Sequence, residues 1–118
     1  MANFATAAES RETLLRLVRD VDDTFVTYAT AEALLRRQDA AGLSIVAEAL
    51  VLADSQHLDY IHDAVTAVFM VFASERDRAI EVCDVLLLDA SAQVRQGASE
   101  LRKMLAQVRP MVYPQEPT

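Results

Sequence analysis

The chain has 118 residues, 53% of them hydrophobic, with only two Gly and three Pro. That is enough to bury a core without cross-links, and too little Gly and Pro for the turns of a β-sandwich. A formal net charge of −7 disfavours nucleic acid and anionic membrane surfaces as direct partners.

Residues 1–10 lack the basic start and long apolar core of a secretory signal. Thr6-Ala7-Ala8-Glu9 fits a capping box and Ser10 is a second candidate cap, so a first helix is predicted to open there. Leu14, Leu15, Val18 and Val21 then recur at helical spacing. Beyond Asp22 a second helix carries Phe25, Ala29, Ala33 and Leu34, starting at Asp23 or re-capped at Thr30. Asp39 caps a third, with Leu43, Val46, Leu50 and Ala53 inside; Ile45, Ala49 and Leu52 widen its apolar face until little is polar.

Asp54 or Ser55 caps a fourth helix, whose inward row is Leu58, Ile61, Val65, Val68, Phe69 and Phe72. The apolar run 64–73 is well short of the roughly 20 residues that span a bilayer, so this is a core helix. Ser74-Glu75-Arg76-Asp77 resembles a capping box opening a fifth, where Ile80, Val82, Cys83, Leu86 and Leu87 cover most of the circumference. Asp89 caps a sixth, which buries Val94, Ala98, Leu101 and Leu105. Pro110, Pro114 and Pro117 then forbid helix, so residues 1–108 read as one helical domain and 109–118 as a flexible tail.

Helices apolar nearly all round (the third and fifth) alternate with helices that keep a polar face (the fourth and sixth), the pattern that stacked pairs produce. A period supports it: Asp54 and Asp89, Ile45 and Ile80, and Leu50 and Val85 are each 35 residues apart. Ala64 and Ala98, and Leu58 and Val94, follow at about that distance. The predicted fold is all-α, a short α-solenoid of about three antiparallel helix pairs.

The last pair resembles the HEAT repeat. Second helices of that family have an Asp near the turn, then Val-Arg, a small residue three positions after the Arg, and Leu three beyond. Here those places hold Asp89, Val94, Arg95, Ala98 and Leu101. The resemblance is good over residues 79–105, fair over 43–73, where Tyr60-Ile61 stands in place of Val-Arg, and poor before that. It implies that Asp89 caps the second helix and that Arg95 bonds toward the turns of neighbouring repeats. It also implies a curved stack whose second, fourth and sixth helices face a partner.

Little in the sequence points to catalysis, and the chain is read as a non-enzyme without cofactor or metal. Cys83, the only cysteine, permits no internal disulfide and fits a reducing cytoplasm. It lies mid-helix among apolar residues beside Asp84, surroundings that raise a thiol pKa. His57, Asp59, His62 and Asp63 are metal-ligand types, but His57 and His62 stand about 140° apart on a helix. Gly42 and Gly97 are isolated and form no phosphate loop.

Between Arg37 and Arg76 there is no Lys or Arg, while Asp39, Glu48, Asp54, Asp59, Asp63 and Glu75 all fall in that window. Such unbalanced negative charge attracts a basic partner, or else simply keeps the protein soluble. Asp59, His62, Asp63 and Thr66 share one line of the fourth helix, with Tyr60 at its edge. The candidate partner-binding residues are therefore Asp54, Asp59, Tyr60, His62 and Asp63. Ten Arg against one Lys, with abundant Ala, suggest a GC-rich bacterial source. A small acidic helical protein of that kind looks like an immunity protein that neutralises a basic toxin. The alternative is a self-assembling structural subunit, monomer or homodimer, that pairs through Leu14, Leu15, Leu17 and Val18. A HEAT-like nucleic-acid repair enzyme ranks last.

Overall fold

The computed structural model describes residues 7–19 and 23–111. These form six helices and, among the described residues, no strand: α1 (Ala7–Val18), α2 (Thr24–Arg37), α3 (Ala40–Leu52), α4 (Ser55–Phe69), α5 (Ala73–Leu86) and α6 (Ala92–Gln107). The radius of gyration is 14.1 Å, close to the roughly 13.5 Å expected of a compact chain this long.

Three helix starts follow directly from local chemistry. Asp23 accepts from the Phe25 and Val26 N–H groups, so α2 begins there and is not re-capped at Thr30. Asp39 accepts from the Gly42 N–H at 2.7 Å, and Asp54 from the His57 N–H at 2.8 Å. The other starts differ from expectation. Thr6 of the first capping box, like Val21 and Asp22, lies outside the described residues, and Ser10 is already inside α1. Ser74-Glu75-Arg76-Asp77 does not open α5: the helix begins two residues earlier, and its N-cap Phe72 makes no side-chain hydrogen bond. Phe72 is half exposed and belongs to neither the α4 helix nor its inward row.

α3 is the centre of the molecule. Every residue from Gly42 to Ala47, with Ala49 and Leu50, is buried. It packs most extensively on α6 and also touches α1, α2 and α5. The second large contact is between α2 and α4, whereas α3 and α4, neighbours in sequence, barely meet. Only α5 and α6 make an extensive consecutive pair, so the chain does not simply stack hairpins in order.

This interleaving breaks the expected equivalence of α3 and α5. Leu50 is buried, but Val85, its counterpart 35 residues on, is 66% exposed, because α5 lies at the periphery. α5 buries Ala73, Ala79, Cys83 and Leu86, and Ile80, Val82 and Leu87 are partly buried against the core, while Val85 faces outward. In α2 the register also differs: Thr27, Ala31, Leu34 and Leu35 face inward, while Phe25 is 74% exposed and Ala33 is exposed. On α1, Val18 is buried and Leu14 and Leu15 pack against the core, so the face proposed for self-association is spent internally, Leu17 excepted.

The chain after α6 turns back. Val108 and Pro110 are buried, the Arg76 guanidinium donates to the Val108 carbonyl at 3.0 Å, and the Met111 N–H donates to the Met70 carbonyl at 2.8 Å. The first three residues of the expected tail, 109–111, are therefore docked; residues 112–118 lie outside the described chain.

Candidate functional site

α4 is amphipathic along its whole length. Ile61, Ala64, Val65, Val68 and Phe69 point into the core, while Asp59, His62, Asp63 and Thr66 are exposed and Tyr60 is half-buried beside them. The offsets of three, four and seven put the exposed residues on one line, and no other part of the described chain covers it.

The candidate residues are not equivalent. Asp54 is engaged at the start of the helix: its Oδ1 accepts the His57 N–H and lies 2.8 Å from His57 Nδ1. The hydrogen bond from the His57 N–H, reinforced by the imidazole, holds the Asp54 carboxyl below its ordinary value. His57 is buried and turned inward, so it does not join His62 and Asp63 on the outer face. Among the described residues no group of three or more His, Cys, Asp or Glu is gathered to hold a metal ion.

Three of the six carboxylates of the cation-free window have cationic or helix-capping partners. Asp39 pairs with Arg37 at 3.0 Å and Glu48 with Arg11 at 2.6 Å, while Asp54 serves the α4 cap. Asp59 and Asp63 are exposed and take part in no ion pair among the described residues.

The row runs into a cleft that sequence reasoning missed. Thr66 and Met70 from the α4 side and Met104 and Val108 from the α6 side line a volume of about 350 Å³, with His62 and Arg109 also contributing. Met70, in this lining, is 39% exposed. One signal was available: Met70 stands eleven residues after Asp59, three turns further along the same stripe. Nothing in the sequence links Met70 with Met104, which only the fold brings together.

Elsewhere the chemistry is structural. Burial, helped by Asp84 and opposed by Arg102, pushes the Cys83 thiol up to about 12, which leaves it protonated and unreactive at neutral pH. At the α5–α6 turn the N-cap of α6 is Ser91, whose hydroxyl accepts the Val94 N–H. Asp89 acts one step earlier, accepting the Ser91 N–H at 2.9 Å. Arg95 donates to the Asp89 and Ala90 carbonyls at 2.6 and 3.1 Å, so it clamps the turn of its own pair.

No protein-family model matches the chain, no curated protein matches it, and no solved structure matches its fold. Among the described residues no helix is long and apolar enough to cross a membrane.

Proposed function

We propose that the protein is a non-catalytic protein-interaction module that binds a basic protein through the outer face of α4. One observation carries this reading: Asp59 and Asp63 stand exposed on one line without a cation of their own, while Asp39 and Glu48, in the same window, are neutralised internally. Unpaired carboxylates in a row raise the local negative potential and speed encounter with a positive surface. Tyr60 at the edge adds amphipathic contact area. A bacterial toxin with a basic cleft is the partner class this chemistry fits best, which makes the protein an immunity protein on this reading.

The finer fold reading is a HEAT-like stack limited to its last pair. Its support is the Arg95 clamp on the α5–α6 turn and the small Gly97-Ala98 step buried against α3. The α3–α6 and α2–α4 pairings depart from a simple stack.

Exchanging both carboxylates, Asp59→Lys with Asp63→Lys, tests the function. Retention of basic proteins from a lysate of the source cell on immobilised protein is expected to fall by about tenfold or more, and to be salt-sensitive in the parent. Helicity and melting stay unchanged, since both side chains are exposed. Undiminished capture, or a loss that appears only with unfolding, removes the acidic row from the function.

A further inference from the structure

We propose that the partner enters this face as an amphipathic helix, its cationic side chains on Asp59 and Asp63 and an apolar side chain in the cleft between Met70 and Met104. The proposal rests on the reading of α4 as the docking face and specifies what docks there. Asp59, Asp63, Thr66 and Met70 lie at offsets of four, seven and eleven, one continuous stripe on α4 and its C-cap. At 1.5 Å per residue the stripe is about 16 Å long. A second helix laid along it presents side chains at the same offsets of four, seven and eleven residues.

The two ends of the stripe differ in chemistry. The first is acidic and exposed; the last is floored by Met70, Met104 and the nearly buried Val108. Thioether side chains accommodate varied apolar shapes. A cleft of about 350 Å³ is near the small end for ligand pockets, and of a size for one or two large side chains. Polarity is set as well. Both α4 and α6 end at the cleft without a basic residue in the last turn, but Arg109 lines the same cleft and offsets their partly negative ends. With neither charge favoured there, the cleft takes the apolar side chain, and the partner's positive groups fall at the Asp59–Asp63 end.

The probe is an Ala-based helical peptide with Arg at i and i+4 and Leu at i+7 and i+11, made in both chain directions. It is titrated into the full chain with the methionine methyls followed by NMR and affinity read at low and high salt. One direction is expected to bind and to shift the Met70 and Met104 methyls. Replacing its Leu residues by Ser, or filling the cleft with Thr66→Trp, weakens binding about tenfold at either salt concentration. Asp59→Lys with Asp63→Lys weakens it about tenfold at low salt only. Binding that needs Asp59 and Asp63 but ignores Leu→Ser and Thr66→Trp, with unmoved methyls, overturns the anchored helix and leaves the acidic docking face standing. Binding indifferent to the carboxylates overturns both. Failure of every peptide overturns the helical occupant, and the docking face is then judged by capture alone.

Discussion

Gly97 sits where α6 comes closest to α3. A Cβ there would run into the backbone of Ala47, which is itself fully buried. In an exposed helix, Gly to Ala stabilises by roughly 1 kcal/mol through helix propensity. Here two backbones must part, and overpacking of this kind costs about 1–3 kcal/mol. Gly97→Ala is therefore expected to lower the urea midpoint; a raised midpoint would mean that the crossing yields freely. The small residue at Ala98 was legible in the repeat pattern, but the group that Gly97 makes room for, Ala47, was not. Asp54 gives a residue-scale prediction of another kind. Its folded pKa lies below the ordinary 3.8, so the stability it confers is complete above that value and is lost as pH falls through the lower one. Asp54→Asn cannot titrate, so the stability gap between parent and variant should shrink as pH drops below 3.8 in urea unfolding. A gap constant across that range would exclude the linkage.

Among the elements, α1 depends on few fastenings. Arg11 donates to Ser44 Oγ at 2.9 Å and to Glu48 Oε1 at 2.6 Å on the central helix, in a pair only 32% and 18% exposed. That burial sets it above the Arg16–Glu12 pair, which is about three-quarters exposed on both sides and contributes little. Arg11→Ala is expected to cost about 1 kcal/mol. Amide exchange along α1 should then accelerate about fivefold while that of α3 is unchanged; uniform acceleration would place the loss elsewhere. Element starts were legible where one side chain suffices, as at Asp23, Asp39 and Asp54. They were not at α5, where Phe72 precedes the helix without capping it, or at α6, where Asp89 and Ser91 share the task. The outer face of α5 was misjudged for a related reason. Apolar Val85 looks like core by composition, yet whether a helix has neighbours on two sides is a property of the assembly.

For the whole molecule, the all-α class was legible and the pairing was not. Periodicity reports which face is apolar; it does not say which distant face receives it. A period of 35 residues made α3 and α5 look like equivalents, although one is central and the other peripheral. The acidic row was legible because it lies on one helix. The cleft at its end was not, because it joins the ends of two. Interleaved pairing makes a further prediction. In a modular stack, deleting the last pair leaves a shorter stable stack. Here a chain ended before α5 loses the helix that packs most extensively on α3, and it is expected to show no cooperative thermal transition. A sharp transition in that fragment would show that α1–α4 suffice.

The same lock between α3 and α6 governs how the protein comes into being. On the ribosome, residues of the third helix emerge long before those of the sixth, and until the latter clear the exit tunnel the middle of the molecule stays unsealed. α3 therefore carries a bare apolar face from its emergence until α6 is made and packs against it.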